Sequence, residues 1–498
     1  MATATDEQGV GLRSGRGAIL AALMLSMSLI AIDTTIIATA VPSVVADLGG
    51  LHQFPWLFSV YLLAQSVSVP IYSKLADQYG RKPIILVGIG GFLLGSLLCG
   101  TAWSMPALIA FRALQGLGAG AVAPMVLTIV GDLYSLAERG RVQGYFASVW
   151  AVAAVVGPAL GGVFAEYLTW RWIFYVNLPL CLLAAATLLR VFHENVARQR
   201  HQLDYAGAAL LTVGGTLVLL GLLEGGHAWP WRSWTSLAVL GGGAVLLAVF
   251  ALVERSAAEP VLPGWVFRRR VLASTNAVAA LIGALLIGIT SYVPTFLQGV
   301  LGAGPLVAGF ALSTFSLGWP LTSSMSARLY LRVGFRTTAL IGSSLAVVGA
   351  VPLTLVGSGS SIVTVSAACF LVGCGLGLVA APTLIAAQTT VGWSERGVVT
   401  GTNAFGRSIG SALGVAILGA VANTALGPNG ATPSTLDTAA HRVFVGVLIV
   451  AVLMLVAVAT LPRVIRAHES QLGRESQPDP DSQPDLAGSR PPENSPTP

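Results

Sequence analysis

Long apolar runs, broken at intervals by short polar segments, set the pattern of this chain from about Gly17 to the region of Met454. A helix needs about 20 apolar residues to cross a bilayer. Fourteen runs of that kind can be marked, centred near Leu25, Gln65, Phe92, Ala119, Ala154, Leu182, Gly215, Val245, Leu285, Gly318, Val347, Gly373, Leu413 and Met454. None alternates with the period of two that a half-buried strand requires, so each reads as a helix. The first run ends near Ala38-Thr39-Ala40, which imitates a signal-peptidase site. It is too long for a signal peptide's apolar region and carries Asp33, so it reads as a retained membrane helix.

Composition agrees. Hydrophobic residues make up 54% of the chain and charged residues 10%, against roughly 25% charged in soluble proteins. The net charge of +6 would suit a nucleic-acid binder, but the positions of the charges argue otherwise. With the N-terminus on the cytoplasmic side, most Lys and Arg fall in cytoplasmic segments, among them Arg13, Lys74, Arg81, Lys82, Arg139, Arg141, Arg268, Arg269, Arg270, Arg328, Arg332 and Arg336. The outer loops hold Arg171, Arg232 and Arg442. This is the positive-inside bias. It predicts a multi-pass protein of the cell inner (cytoplasmic) membrane with both termini cytoplasmic, a lipid bilayer as its surroundings and no nucleic-acid partner. Trp56, Trp103, Trp170, Trp172, Trp229, Trp231 and Trp234 cluster at the expected outer ends, as an interfacial belt does. The tail after about Glu469 is rich in Pro, Ser, Gln and Asp and reads as disordered.

Chemistry that would make the chain an enzyme is not suggested. Cys99, Cys181, Cys369 and Cys374 lie inside apolar runs without metal spacing and read as reduced packing residues. The histidines show no metal spacing, and no phosphate-binding glycine loop marks an ATP-driven pump. No metal or cofactor is expected.

Two pieces of the first half return in the second. Glu138-Arg139-Gly140, followed by Gly144, recurs as Glu395-Arg396-Gly397, followed by Gly401, and Gly80-Arg81-Lys82 recurs more weakly as Gly334-Phe335-Arg336. Such parallel repeats belong to transporters whose halves rock about a midplane site. The expected organisation is a cytoplasmic N-terminus (1–16), an N-terminal six-helix bundle (17–192), two extra linking helices (193–270), a C-terminal six-helix bundle (271–465) and a disordered cytoplasmic tail (466–498).

Five local patterns in the first six helices carry a resemblance. They are Ile32-Asp33-Thr34-Thr35-Ile36-Ile37 running to Ala40-Val41-Pro42; Ser73-Lys74-Leu75-Ala76-Asp77-Gln78-Tyr79-Gly80-Arg81-Lys82; Arg112-Ala113-Leu114-Gln115-Gly116-Leu117-Gly118-Ala119-Gly120; Gly157-Pro158-Ala159-Leu160-Gly161-Gly162; and Trp170-Arg171-Trp172-Ile173-Phe174-Tyr175-Val176-Asn177-Leu178-Pro179. Together they resemble the major facilitator superfamily, in its fourteen-helix drug/proton antiporter branch. The departures are Ala38, Ser73, Gln78, Ala153 and Cys181, where the family's patterns carry Asn, Gly, a base, Gly and Gly.

The resemblance implies an all-α major-facilitator fold, two six-helix bundles plus two linking helices, and proton-coupled export of lipophilic small molecules or drugs. Small-molecule substrate and protons would be its partners, and the chain would act as a monomer. Asp77, Gly80 and Arg81 would form a conformational latch, with a static topology anchor as the competing reading. Gly157, Pro158, Gly161 and Gly162 would form the antiporter block. A dedicated exporter of a lipid, siderophore or endogenous antibiotic would carry the same motifs. A proton symporter for nutrient uptake fits the antiporter block less well, and a non-transporting receptor or scaffold would need no charge within the bilayer.

Coupling to protons requires a group that titrates inside the membrane. Asp33 is the acid placed well within a span, so it is the leading proton carrier. It lies about nine residues from the outer end of its helix, and Arg112 about seven from the outer start of its own, so their depths agree to within about one turn. The resemblance implies that these two helices are neighbours. Burial disfavours a charged carboxylate and a nearby arginine favours it, so separating the two would move a proton. A purely structural arginine is the competing reading of Arg112. Between Pro260 and Asp437 the only acid is Glu395, which favours neutral or weakly charged lipophiles as substrates. Arg407 is open to either a structural role or contact with an anionic group. Tyr61, Gln115, Trp150, Tyr292, Gln298, Trp319 and Asn403 complete the candidate cavity.

Overall fold

The computed structural model describes residues 11–12, 14–134, 136–194, 205–226, 228–256, 262–392, 395–426 and 432–462. The C-terminal tail and the segments that contain Arg198, Arg200 and Arg466 lie outside them. Among the described residues the regular structure is helical: α1 (Gly17–Leu48), α2 (Trp56–Tyr79), α3 (Arg81–Gly100), α4 (Met105–Leu133), α5 (Leu136–Tyr167), α6 (Trp172–Tyr175), α7 (Asn177–Val191), α8 (Tyr205–Glu224), α9 (Trp234–Ser256), α10 (Trp265–Arg268), α11 (Arg270–Gly299), α12 (Pro305–Val333), α13 (Phe335–Leu353), α14 (Ile362–Thr389), α15 (Arg396–Leu426) and α16 (Pro433–Ala459). Each of the fourteen run centres falls inside one of the longer helices.

Among the described residues twelve helices are long and apolar enough to cross a membrane. α2 and α12 are not among the twelve. Polar side chains thin their apolar character: Gln65, Ser66 and Ser68 in α2, and Ser313, Ser316 and Ser323 in α12. Both nevertheless lie inside the bundle, α2 against α4 and α12 against α14.

Local chemistry sets the helix ends. Ser104 caps α4 by accepting from the Ala107 amide, and Thr432 forms a capping box with Thr435 at the start of α16. Gly80 (φ +104°) turns α2 into α3 within one residue, and Gly334 (φ +86°) does the same between α12 and α13. Only glycine adopts that backbone without strain. The two glycines found as a repeat in sequence therefore make the same turn in space.

Packing repeats as well. α1 packs on α5, α2 on α4, and α3 on α4 and α7. In the second half α11 packs on α15, α12 on α14, and α13 on α14 and α16. α8 and α9 pair with each other, and α8 rests on α2 and α15. The halves meet through α5 with α12, α2 with α15, and α1 with α11. One apolar core spans the second half and the meeting surface, including Ile36, Val41, Leu285, Phe296, Phe315 and Phe444. Another lies within the first half around Leu29, Phe92, Met125 and Phe146. All four cysteines are free and buried.

Candidate functional site

The chemistry gathers on Asp33, halfway along α1. Its side chain is 1% exposed, and so is that of Arg112 in α4. A buried carboxylate of this kind needs a full set of donors. Arg112 Nη1 donates to Asp33 Oδ2 at 2.8 Å. Gln115 Nε2 donates to Asp33 Oδ1 at 2.8 Å, and Asn177 Nδ2 donates to the same oxygen at 3.1 Å. Gln115 Oε1 accepts from Arg112 Nη1 at 2.6 Å, and its Nε2 also reaches Ser96 Oγ at 2.7 Å. Arg112 and Gln115 lie one turn apart on α4, so a single helix face supplies two donors.

The arginine is held from other sides. Its Nε donates to the Leu57 carbonyl at 3.2 Å, and its guanidinium lies 4.1 Å from the centroid of the Tyr61 ring. Tyr61 therefore stacks on the cation. Thus α1, α2, α3, α4 and α7 all contribute to one closed cluster. Sequence reading placed Tyr61 and Gln115 in a substrate cavity; both are fully buried here, as parts of this cluster. Ser96 and Asn177 were missed as site residues, although Asn177 lies within the fifth sequence pattern and was within reach of that signal.

The block Gly157, Pro158, Gly161 and Gly162 lies where α5 meets two partners. The Thr35 hydroxyl donates to the Ala153 carbonyl at 3.0 Å, and that of Thr39 to the Pro158 carbonyl at 3.2 Å. A Cβ at Gly157 would collide with Thr35, one at Gly161 with the Ile36 carbonyl, and one at Gly162 with Leu306 of α12. The absent side chains let α5 approach α1 and the opposite half at once.

At the α2–α3 turn, Arg81 Nε lies 3.3 Å from Asp132 Oδ2. The backbone amides of Arg81 and Lys82 donate to the Glu194 carboxylate at 2.7 and 3.0 Å. An acid at a helix N-terminus satisfies orphan amides and complements the dipole. Glu194 was not foreseen, because it lies in a connecting segment without a pattern. Asp77 falls in the last turn of α2, and its side chain lies outside the described residues.

The remaining candidates lie around the meeting surface of the halves. Gln298 donates to the Thr39 carbonyl at 3.1 Å, Ser313 to that of Val155 at 3.2 Å, Ser59 to that of Ala412 at 3.2 Å, and the Leu306 amide to Glu166 at 2.9 Å. His52 and Asn423 pair at 3.3 Å. These links lie from mid-depth to the side that holds the α1 C-terminus, and they hold that side shut. Tyr292 is buried edge-on to Phe54. Asn403 donates to the Thr275 carbonyl at 3.2 Å. Trp319 is half-buried, whereas Trp150 is 40% exposed. Arg407 is exposed, yet it lies well inside α15 with many protein atoms around it. Both hold for a side chain that projects into a space enclosed by protein rather than onto an outer face.

These features define a helical membrane protein of two repeated halves with a buried charge pair between α1 and α4. Comparison with known proteins agrees. The family model described as Major Facilitator Superfamily matches residues 23–415, and the chain belongs to that superfamily. It is 34% identical to the multidrug transporter protein MdtP of Bacillus subtilis (strain 168) over 417 residues, 84% of this chain and 77% of that protein. It is also 34% identical to multidrug resistance protein 3 of the same organism over 403 residues, 81% of this chain and 79% of that protein. A crystal structure of a peptide transporter, POT, in complex with sulfate superposes with a TM-score of 0.66 over 93% of this chain and 99% of the other, at 17% identity. That likeness concerns the fold alone.

Proposed function

We propose that the chain exports lipophilic small molecules, drugs among them, across the cytoplasmic membrane in exchange for protons. Fourteen spans, cytoplasmic termini and a monomeric transporter complete this reading. The observation that carries it is the fully buried cluster centred on Asp33. The names of the two Bacillus relatives support a drug-type substrate.

Asp33 holds three donors with its two oxygens. Protonation cancels the charge opposite Arg112 and removes acceptor capacity toward Gln115 and Asn177. A neutral Asp33 leaves a buried cation without a counter-charge, which is costly. The cluster must then rearrange, and α1 carries that strain directly to α5 and α11. The two halves rock about the meeting surface, and the closed side opens. Proton entry from outside and substrate exit thus alternate on one moving part. The basic face at Arg16, Arg81 and Arg269 is the cytoplasmic one, so the closed side faces outward.

The test is transport in inside-out vesicles that carry a preset pH gradient. Addition of an exported lipophilic compound should dissipate the gradient in proportion to compound accumulated. Accumulation that continues unchanged after the gradient is collapsed would exclude proton exchange.

A further inference from the structure

We propose that the central cavity holds a recognition site for an aromatic organic anion, with Arg407 as the anion-binding group and Trp150 and Trp319 as its aromatic walls. This rests on the export reading and names the substrate class.

Depth brings the three residues together. The Ser313–Val155 hydrogen bond joins α12 to α5, and the Ser59–Ala412 bond joins α2 to α15. Trp150 lies about 7.5 Å along α5 from Val155, and Trp319 about 9 Å along α12 from Ser313. Arg407 lies about 7.5 Å along α15 from Ala412. All three displacements point away from the closed side. The three residues therefore all lie on the inner side of these two links between the halves.

Direction agrees. On α5 the positions that meet α1 (Ala153, Gly157, Gly161) and those that meet α12 (Val155, Pro158, Gly162) bracket an arc that contains Trp150. The exposed Val152 and Val156 lie on the opposite arc, toward lipid. On α15 the face of Val415, Leu418 and Ala422 is fully buried nearer the closed side, and its inward continuation at Ala404 and Arg407 is exposed. The same helix face passes from packed core to exposed side chains.

Charge selects the ligand. Among the described residues Arg407 has no hydrogen bond or ion pair. The described acid at mid-depth, Asp33, is 1% exposed and already bound to Arg112. Glu395, the acid of the second half nearest in sequence, pairs with Arg269 at 3.4 Å at the end of α15. The open wall thus presents a free guanidinium and indole surfaces with no competing carboxylate. A carboxylate or sulfonate accepts a forked pair of hydrogen bonds from such a guanidinium, and a flat apolar body fills the space beside the indoles.

The experiment measures binding to the purified protein in nanodiscs of zwitterionic lipid, with empty nanodiscs as the partition control. The probes share one ring system: naphthalene-2-sulfonate, (2-naphthylmethyl)trimethylammonium and neutral 2-naphthalenemethanol. The sulfonate should bind about tenfold or more tightly than the ammonium probe. Arg407→Gln should erase that preference and leave the neutral probe unchanged, which shows that the site is still folded. Arg407→Lys should keep most of the preference, and Trp150→Ala should weaken all three probes. Equal binding of sulfonate and ammonium by the wild type, no binding of any probe, or a preference that survives Arg407→Gln overturns the proposal. Preserved sulfonate preference without proton-driven transport would instead sink the export reading alone.

Discussion

The two halves repeat each other's helix packing and differ in what they bury at the centre. In the first half, α1 and α4 enclose Asp33, Arg112 and Gln115. The corresponding stretches of α11 and α14 bury Ile287, Ala368, Cys369 and Val372. One half carries a charge pair where the other carries an apolar contact. The glycine device is shared: Gly157 and Gly161 seat α5 on α1, and Gly410 and Gly414 seat α15 on Ala280 and Ala284 of α11. The scaffold is therefore symmetric and the chemistry is not. The proposed proton work would reside in the first half, and Arg407, without a hydrogen bond or ion pair among the described residues, lies in the second.

The sharpest way to break this division is Asp33→Asn. Asn keeps the shape and cannot exchange a proton. Transport driven by a pH gradient should fall to background, about 100-fold or more, whereas substrate counterflow survives. If Asp33→Asn still moves protons when substrate is added, the coupling group lies elsewhere.

Arg112→Ala comes next, because it leaves a buried carboxylate uncompensated. Breaking such a pair costs about 3–5 kcal/mol. The midpoint of thermal unfolding in detergent should drop accordingly, and adding Asp33→Asn should recover part of the loss. A single mutant as stable as the double mutant would mean that the two charges are not coupled.

Much of this cluster was legible in the sequence, for a physical reason. A charge in an apolar run demands a partner, and similar depth, together with the helix neighbours that the resemblance implies, pointed to Arg112 for Asp33. Ser96 gave no such signal, because serines are frequent in these helices and satisfy themselves on the preceding turn, as Ser26 does with the Ala22 carbonyl. Asn177 lies at the start of α7, where a polar residue reads as a helix end. Glu194 reaches the α3 amides across more than a hundred residues of chain, which no local pattern encodes. The run centres were legible because length and apolarity are additive along the chain. The packing of Tyr61 on Arg112 was not, because one aromatic residue in a membrane helix suits a cavity and a core equally.

The shared glycines provide a finer test. Gly161→Val and Gly414→Val should each destabilise the fold by about 1–3 kcal/mol, because both force a side chain into a packed helix contact. Their transport phenotypes should differ. α5 touches α12 through Gly162 as well as α1 through Gly161, so the α5 change alters the meeting surface of the halves. The α15 change is confined to the contact with α11 at that position. Turnover normalised to folded protein should fall several-fold further for Gly161→Val. Equal turnover would mean that the antiporter block only packs.

The smallest expected effect separates the two glycine turns. Gly80 and Gly334 make the same turn, but Asp77 stands three residues before Gly80, and Leu331 stands three before Gly334. A carboxylate is thus available at one turn and missing at the other. Arg81 beside the first turn already engages Asp132, and Glu194 caps α3, so the fold of this region does not depend on Asp77 alone. Asp77→Asn should therefore leave insertion and thermal stability close to wild type. If the turn is a latch, the lost charge changes how readily the halves separate on the cytoplasmic side, and turnover should slow by about tenfold. Leu331→Asn, a polar change at the matching position, should leave turnover unchanged. Measured together in the same vesicles, a slow Asp77 variant beside an unaffected Leu331 variant assigns the moving contact to the first half. Wild-type turnover in both would reduce the turn to a topology anchor.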